Sequence, residues 1–564
     1  MRRWSRTPSI GWHGIWARSA DLALAGEQIF DFVIVGAGSA GCVLAERLSA
    51  NGRHSVCLLE AGGSDRRLFV QMPLGYGKTF YDKSLNWGYR AEADPGLSGQ
   101  ADYWPRGKVL GGSSSINAMV WIRGAHRDFE DWAAEGNAGW GFADVLPFFK
   151  ALEHNQSGAD EWRATGGPMH ICDVSGQLHP LASRFIQAGL QMGFTQNTDF
   201  NGATQEGIGI YQINTKDGWR MSSAKAFLHP ALARKNLTLI KNAHALKLLF
   251  ADRRASGVEV LHRGNKFSIQ ARREVILCAG AVNSPQLLQV SGIGDAAHLS
   301  ELGIKLVQHS AAVGRNLQDH LGINYTYRAK VPTLNELLRP WWGKARAGLH
   351  FLARGRGPLS LSLNQCGGFV KTRPELERPN IQLYMQAIST YHAKQGTRPL
   401  LTPDPFPGFS LGLSTCKPAS RGEIMIASPD PLAPPKIRPN AYGTQQDVET
   451  MLEGVKLLRK LAHQPALAEI ISSELAPGPR VTSDAQLIED FRLRSGTVYH
   501  PCGTCRMGPD IASAVVDSRL RVMGVAGLRI ADASIFPLII SGNTNAPTMM
   551  VAAKAGKMIL DDHS

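Results

Sequence analysis

The chain has 564 residues, of which 43% are hydrophobic and 19% charged, and its formal net charge is +14. This length supports a large buried core but exceeds what one simple core holds, so we predict two closely packed domains. The basic residues are scattered without a dense lysine or arginine block, which argues against nucleic acid as a partner and favours loose contact with an anionic membrane surface.

Residues 1–28 are predicted to form an extension ahead of the folded chain, which should begin near Ile29. The extension is basic and aromatic, but its apolar run at 22–25 is too short for the hydrophobic core of a secretory signal. Its functional interpretations are a surface anchor and a degenerate targeting segment, and the structural alternative is a disordered extension. Because no stretch reaches the roughly 20 apolar residues of a membrane span, we expect a cytoplasmic protein, at most peripheral at the inner membrane face.

The first element of the folded chain predicts a dinucleotide site. An apolar run of strand length, 32–35, is followed by a Gly-x-Gly-x-x-Gly loop and then by the helix-like segment 42–48. In this order Gly36 permits the tight turn, Gly38 lets the backbone approach a pyrophosphate, and Gly41 lets the helix pack on the strand. The predicted phosphate-binding residues are Gly36, Gly38, Ser39, Ala40 and Gly41.

A second apolar strand at 55–59 strengthens this prediction, because it ends in an acid. Glu60 lies 19 residues beyond Gly41, where such folds place the carboxylate that binds the adenosine ribose, and Ala61 is assigned to the same site. The alternative, a glycine-rich turn without a nucleotide, does not account for Glu60. Nicotinamide and flavin dinucleotides share this half of the site, so the fingerprint does not separate them.

Three distant segments then resemble the glucose-methanol-choline (GMC) oxidoreductases: PRGKVLGGSSSINAM at 105–119, GAVNSPQLLQVSGIG at 280–294, and VYHPCGTCRMG at 498–508 with its continuations at 527–537 and 541–548. The resemblance extends from about residue 30 to the end of the chain. It implies FAD as cofactor and a Rossmann-like FAD-binding domain, with a second α+β substrate domain built on an antiparallel sheet.

In the resembled family, the loop at 105–119 cradles the flavin. Some relatives attach FAD covalently to a histidine at the position that Ile116 occupies here. Because this chain has no histidine at that position, the resemblance implies a non-covalent flavin. The residues assigned to the cofactor from this loop are Arg106, Gly107, Val109, Gly112, Ser113, Asn117, Ala118, Met119 and Val120. From the second segment and its surroundings we assign Ala245, Ala279 and Gly280 to the cofactor. We interpret His320, in the stretch VGRNLQDH at 313–320, as a structural histidine.

The third segment is predicted to supply the chemistry. The resemblance makes His500 the catalytic histidine and places Asp532 near the flavin pyrophosphate. Asn543 is the best match for the partner of His500, and Asn545 remains an alternative. The cofactor residues assigned here are Asp532, Ala533, Asn543, Thr544 and Asn545. Cys502 and Cys505 form a Cys-x-x-Cys without a second pair, so no metal site is predicted.

These residues suit hydride removal from an alcohol. The hydroxyl proton must leave as the C–H bond breaks, and an imidazole is a suitable base, so His500 takes the proton while Asn543 holds the same oxygen. The predicted reaction is oxidation of an aliphatic or aromatic primary alcohol to the aldehyde, with hydride passing to flavin N5 and electrons to a quinone-like acceptor, as in bacterial alcohol dehydrogenases. The alternatives are an O2-using alcohol oxidase, a choline dehydrogenase-like enzyme, a hydroxynitrile lyase-like enzyme and a flavin-binding structural protein.

The predicted organisation is discontinuous. Residues 29–324 form mainly the FAD-binding domain with inserted substrate segments, 325–495 mainly the substrate domain, and 496–564 return to the FAD-binding domain with the catalytic histidine. Helices are expected near 446–463 and 484–494. Choline-directed relatives tend to carry an acid at the position of Gln365, so the neutral amide argues against choline. The sequence leaves the oligomeric state open.

Overall fold

The structure, a computed structural model, describes residues 28–391 and 402–564. The predicted extension therefore lies outside the described residues except for Gln28, which opens the first strand. Two large sheets organise the described chain.

The first is a seven-stranded mixed sheet that uses both ends of the chain. The strand Asn265–Leu277 lies parallel to Gln28–Val35 and, through its last residues, to Leu528–Ile530. In spatial order its strands are Leu237–Lys241, Val56–Glu60, Gln28–Val35, Asn265–Leu277, Arg254–His262 and Ala243–Ala251, with Leu528–Ile530 beside Asn265–Leu277. Its parallel part is the predicted Rossmann-like unit, which confirms that fold class.

The parallel strands are mainly apolar where they cross the core, because helices or loops cover both of their faces there, whereas the outer part of Gln28–Val35 is partly polar and partly exposed. Val56–Glu60 is buried at every position, as a central parallel strand requires. The helices Ser39–Ser49 and Asn545–Asp562 pack against each other beside this sheet. Residues more than 500 positions apart in the chain thus share one core.

The second is a seven-stranded antiparallel sheet. In order its strands are Ile471–Ala476, Leu321–Ala329, Gly408–Thr415, Ile381–Gln386, Asn364–Val370 and Gly207–Ile210, with Gly496–Thr497 beside Leu321–Ala329. One face carries large apolar residues such as Leu383, Leu411 and Leu413, which share a core with the helix Gln445–Ala462. Because side chains alternate along a strand, the opposite face presents a different set of residues.

Smaller elements connect these layers. The remaining strand pairs are Tyr89–Arg90 with Tyr103–Trp104, Glu153–Asn155 with Met169–Ile171, Thr215–Lys216 with Trp219–Arg220, Ile293–Gly294 with Gln308–His309, and Glu423–Met425 with Lys436–Arg438. The other α-helices are Leu68–Gln71, Tyr76–Thr79, His126–Ala134, Phe142–Leu152, Leu181–Gln191, His229–Ala231, Gly280–Val290, Ala296–Glu301, Leu334–Leu338, Trp341–Arg354, Pro465–Ala468 and Asp484–Arg494. Short 3-10 turns occupy Pro73–Gly75, Pro95–Leu97, Gly112–Ser115, Ser175–Gln177, Pro358–Ser360 and Ala533–Ile535, and a π turn occupies Ala224–Leu228.

Two helices predicted from the sequence lie where expected, at Gln445–Ala462 and Asp484–Arg494. The antiparallel sheet, however, begins with the strand Leu321–Ala329, a few residues before 325, and it recruits Gly207–Ile210 from the first half of the chain. Within 28–391 and 402–564, no helix combines the length and apolar character needed to cross a bilayer.

Candidate active site

A cavity of about 980 Å³ is lined by residues of both sheets. It brings together the amino-terminal glycine loop, the loop around Asn117, and the carboxy-terminal segments that carry His500 and Asn543. Every predicted site residue lines it except Gly41 and Val109. Segments from opposite ends of the sequence therefore meet in one site.

The two exceptions support the cavity from behind. A Cβ on Gly41 would lie 1.9 Å from the Gly36 carbonyl oxygen, so Gly41 serves the contact between helix and loop rather than a ligand. Val109 is fully buried and its backbone pairs with Gly63, just after the second parallel strand. Both positions shape the backbone beneath the site.

The glycine loop is held in place by the acid predicted to bind ribose. Gly36 has a φ of +99°, a conformation that side chains rarely adopt. Glu60 accepts hydrogen bonds from the backbone N–H groups of Ala37 at 2.9 Å and Gly62 at 2.7 Å. Burial raises the pKa of the Glu60 carboxyl to about 7, against the lowering by those two hydrogen bonds. Glu60 thus fixes the turn and also lines the cavity.

The loop around Asn117 depends on a residue that the sequence did not reveal. Arg220 is 1% exposed, and its guanidinium donates to the Asn117 carbonyl oxygen at 2.7 Å and to the Asn117 side-chain oxygen at 2.9 Å. It also donates to the carbonyl oxygens of Val70 and Ser114. Burial lowers the pKa of Arg220 to about 9. A buried guanidinium therefore holds the backbone of this loop against the cavity.

The carboxy-terminal segments complete the cofactor side of the cavity. The Asp532 carboxylate accepts from the Gly280 backbone N–H at 2.8 Å and from the Ser284 hydroxyl at 2.6 Å, which ties two predicted cofactor segments together. The Asn545 side-chain oxygen accepts from the Ser39 hydroxyl at 2.8 Å. The Asn545 side-chain nitrogen is buried without a hydrogen-bond partner, although the residue lines the cavity.

These features fit an elongated anionic dinucleotide. The helices Ser39–Ser49 and Asn545–Asp562 begin at the cavity, and neither has a side-chain cap or an acidic residue in its first turn. Their free N–H groups and positive dipole ends suit phosphate or an electron-rich ring edge. Ile116 lines the cavity with a hydrocarbon side chain, which offers no atom for a covalent bond to a flavin.

His500 and Asn543 form a hydrogen-bonded pair in this cavity. The side-chain nitrogen of Asn543 lies 3.1 Å from His500 Nε2. The Asn543 oxygen accepts from Gln382 at 3.5 Å, which orients the amide with its N–H group toward the histidine. Asn545 points instead to Ser39. The geometry therefore pairs His500 with Asn543 rather than with Asn545.

His320 contacts the other side of the His500 ring and determines its tautomer. His320 Nε2 lies 3.0 Å from the Cys416 carbonyl oxygen, which only accepts, so His320 carries its proton there. His320 Nδ1 is then the acceptor for His500 Nδ1–H, 3.0 Å away. Neutral His500 consequently has no proton on Nε2, the atom beside Asn543. His320 is a satisfied buried histidine, as predicted, but it is also a positioning residue for His500.

The backbone at His500 is equally constrained. Asp319 accepts from the His500 backbone N–H at 2.8 Å and from the Thr497 hydroxyl. Tyr499 has a φ of +72°, which is unfavourable for a residue with a side chain, and the Arg106 guanidinium donates to its carbonyl oxygen at 2.7 Å. These contacts aim the imidazole into the cavity.

Comparison with known proteins identifies the family. Two family models described as GMC oxidoreductase match the chain, one for the amino-terminal part at residues 30–322 and one for the carboxy-terminal part at residues 418–552. The chain belongs to the GMC oxidoreductases. It is 43% identical over 536 residues to an alcohol dehydrogenase [acceptor] of Pseudomonas putida, covering 94% of this chain and 96% of the relative.

Two further similarities bear on chemistry and cofactor. The chain is 41% identical over 532 residues to an oxygen-dependent choline dehydrogenase of Rhizobium etli, covering 94% and 95% of the two chains. Its fold also matches that of a formate oxidase from Aspergillus oryzae RIB40, which was solved as a variant to examine FAD modification. The TM-score is 0.89, and the two chains are 26% identical, with 95% of this chain and 99% of the other covered. This GMC oxidoreductase uses FAD, as predicted.

Burial and the neighbouring groups keep His500 neutral. Burial, then His320 and Arg106, lower the pKa of His500 well below its ordinary value. Burial also lowers the pKa of His320 to about 4. Both rings are therefore uncharged at neutral pH, and His500 Nε2 is available as a base.

The depressed pKa predicts how activity depends on pH. A general base works only when it is unprotonated. Because the pKa of His500 lies well below 6.5, kcat/KM should stay unchanged as the pH falls through 6.5. The acid-side decline in kcat/KM should begin only at a lower pH. Initial rates with a soluble dye acceptor between about pH 5 and 9 test this. An acid-side decline centred at pH 7 or higher would contradict a neutral His500 in the free enzyme.

The antiparallel sheet contributes a polar, uncharged wall to the cavity. Gln386, Ser410 and Thr326 lie side by side across three strands, and Gln386 donates to the Asn364 side chain at 2.9 Å. The residues of this wall are Asn324, Thr326, Asn364, Gln382, Tyr384, Gln386, Ser410 and Ser414. Among the described residues that line the cavity, the carboxylates are Glu60 and Asp532, both in the cofactor-binding segments.

The structure corrects the interpretation of Gln365. Its side chain is 4% exposed, accepts a hydrogen bond from the His179 backbone N–H at 3.0 Å, and does not line the cavity. Its neighbour Asn364 faces the cavity instead, because successive side chains point to opposite faces of a strand. The residue at position 365 therefore gives no information about the charge of the substrate. The residues that bear on that charge are those of the polar, uncharged wall.

Cys502 and Cys505 are both buried free thiols. Burial raises the pKa of each thiol well above its ordinary value, so neither is a reactive thiolate. Among the described residues, no group of three or more His, Cys, Asp or Glu side chains is placed to hold a metal ion.

Proposed function

We propose that this GMC oxidoreductase oxidises an uncharged primary alcohol to the aldehyde and passes the electrons to a quinone-like acceptor. The observation that carries the proposal is the pairing of an unprotonated His500 Nε2 with the Asn543 amide N–H at 3.1 Å, on the wall of the cavity that fits FAD. A base and a hydrogen-bond donor side by side suit one alcohol oxygen.

His500 performs the proton transfer in this proposal. Its Nε2 takes the hydroxyl proton while its Nδ1–H stays bonded to His320. The ring becomes an imidazolium, which burial and Arg106 disfavour. The negative charge developing on the alcohol oxygen offsets this cost during the reaction, and the ring readily releases its proton afterwards.

Asn543 orients the alcohol and stabilises its charge. In the structure an Asn543 N–H occupies the single lone pair of His500 Nε2. A bound alcohol replaces this contact: its O–H donates to Nε2, and its oxygen accepts from the Asn543 N–H. Gln382 and Tyr211 continue this chain of hydrogen bonds and restrain the amide. Bound FAD supplies the hydride acceptor. A preorganised donor is worth most where charge appears only in the transition state.

The cavity wall favours an uncharged substrate over choline. A trimethylammonium group bound away from water needs a carboxylate or an aromatic cage. The described wall on the antiparallel sheet offers neutral amides and hydroxyls and no carboxylate. Tyr384 lies on this wall and Tyr211 beside it, and the other aromatic rings of the cavity belong to other segments. The similarity to an oxygen-dependent choline dehydrogenase makes choline the second candidate.

The test is anaerobic mixing of the purified holoenzyme with a panel of alcohols while flavin absorbance is followed. The panel contains straight-chain and aromatic primary alcohols, choline, and the uncharged choline analogue 3,3-dimethylbutan-1-ol. We expect the analogue to bleach the flavin at least about tenfold faster than choline, since choline alone must bury an unpaired charge.

The outcomes separate the parts of the proposal. Faster bleaching by choline would exclude the uncharged-substrate assignment, and no bleaching by any alcohol would exclude alcohol oxidation. Turnover in air with hydrogen peroxide equal to aldehyde, and no gain from a soluble quinone, would replace the quinone-like acceptor by oxygen.

A further inference from the structure

The helix Trp341–Arg354 exposes an unusual amount of apolar surface. Trp341 is 80% exposed, Trp342 57%, Leu349 70% and Leu352 62%. Single exposed apolar residues are ordinary, but four large ones on one helix form a patch.

The pattern of the helix shows that this patch is its outward face. Gly343, Ala347 and Phe351 are buried and recur at every fourth position, and Phe351 packs on the Trp219 ring at a centroid distance of 4.6 Å. Trp341 and Leu349 lie on the opposite side of the helix with Leu352. An amphipathic helix in a soluble protein normally turns its polar side outward. Here the side facing away from the protein is apolar.

Basic residues border this face. The segment 339–356 contains Arg339, Lys344, Arg346, Arg354 and Arg356 and no Asp or Glu. Lys344 and Arg346 are exposed and flank the apolar face on its two sides. An apolar stripe with tryptophan, bordered by cations, matches the boundary between anionic headgroups and acyl chains.

The chain that follows this helix reaches the cavity within ten residues of Arg354. The chain passes from Arg354 through the short turn Pro358–Ser360 to Leu363 and Asn364, which line the cavity wall. A second exposed apolar pair, Leu68 and Phe69, lies on the short helix Leu68–Gln71. This helix and the helix Trp341–Arg354 both contact the small hairpin at 215–220.

From these observations we propose that the outward face of Trp341–Arg354 docks the protein on an anionic lipid bilayer. Trp341, Trp342, Leu349 and Leu352 enter the headgroup boundary, and the neighbouring lysine and arginines contact lipid phosphates. The docking surface is independent of the alcohol chemistry. It brings the segment that runs on to Leu363 and Asn364 of the cavity lining close to a membrane, where apolar alcohols and quinones dissolve.

The test is co-sedimentation of the holoenzyme with vesicles of phosphatidylcholine alone or with about one third phosphatidylglycerol. The first variant is Trp341→Ser/Trp342→Ser and the second is Lys344→Gln/Arg346→Gln. Each should weaken binding to the anionic vesicles at least about tenfold while leaving turnover with a soluble dye acceptor unchanged. Exposed residues elsewhere give matched controls, Leu432→Ser/Ile511→Ser and Arg253→Gln/Lys266→Gln, which should bind as the unchanged protein does.

Three results would each overturn the proposal. They are absence of binding to anionic vesicles, binding that is equal with and without phosphatidylglycerol, and unchanged binding of both helix variants. Light scattering tests self-association through the same face. A dimer that is converted to monomer by Trp341→Ser/Trp342→Ser, without vesicle binding, would assign the face to a second copy of the chain instead.

Discussion

Replacing His500 with alanine should lower the rate of flavin reduction by an alcohol about 10²–10⁴-fold, the usual contribution of a positioned general base. The loss is expected mainly in kcat, because the imidazole acts on a proton that moves only during the reaction. Stopped-flow mixing under anaerobic conditions measures this step directly.

Two features of the His500 experiment make it decisive. The variant should keep its yellow colour and flavin content, since the cofactor side of the cavity is built by other segments. His463→Ala, which removes an exposed histidine after the helix Gln445–Ala462, should reduce the flavin at the unchanged rate. A His500→Ala enzyme within about threefold of the unchanged protein would remove the base from the mechanism.

Replacing Asn543 with alanine should lower the same rate by about 10²–10³-fold, equivalent to about 2.7–4 kcal/mol, the measured range for losing one preorganised donor to a developing oxyanion. The effect should be smaller than that of His500→Ala, because the base and the other contacts of the alcohol remain. The variant should also lose the restraint that Asn543 places on His500 Nε2.

Asn545→Ala is the matched comparison for Asn543. Asn545 bonds to Ser39 in the glycine loop and lines the cofactor side of the cavity. Its loss should weaken FAD retention, measured by flavin release in dilute denaturant, and leave hydride transfer in the remaining holoenzyme nearly intact. If Asn545→Ala were the variant with slow hydride transfer and Asn543→Ala were normal, the roles of the two asparagines would be exchanged.

The dinucleotide half of the fold was predictable because its signals are local. Strand, glycine loop, helix and a terminal acid follow each other within about 30 residues, as the motif requires. The glycine positions have physical causes that a sequence carries, such as the positive φ of Gly36. The assignment of His500 as the base, in contrast, rests on resemblance to a family and not on spacing.

Long-range contacts were what the sequence could not supply. Asn543 and Asn545 stand two positions apart, and only the path of the loop decides that one meets His500 and the other meets Ser39. His320 was recognised as a buried histidine, but its partner lies 180 residues away. Gln365 was misplaced because an error of one position in a strand exchanges the two faces of a sheet.

Both ends of the described chain contribute to the mixed sheet and the cavity, and this has a consequence for biosynthesis. Leu528–Ile530 completes the parallel part of the sheet, and the helix Asn545–Asp562 brings its first residues to the cavity. A ribosome that has released only the first 500 residues has not yet delivered either segment. Tight retention of the coenzyme must therefore be a late event in the maturation of the polypeptide, and the incomplete nascent chain must be kept from aggregating until its final segment emerges.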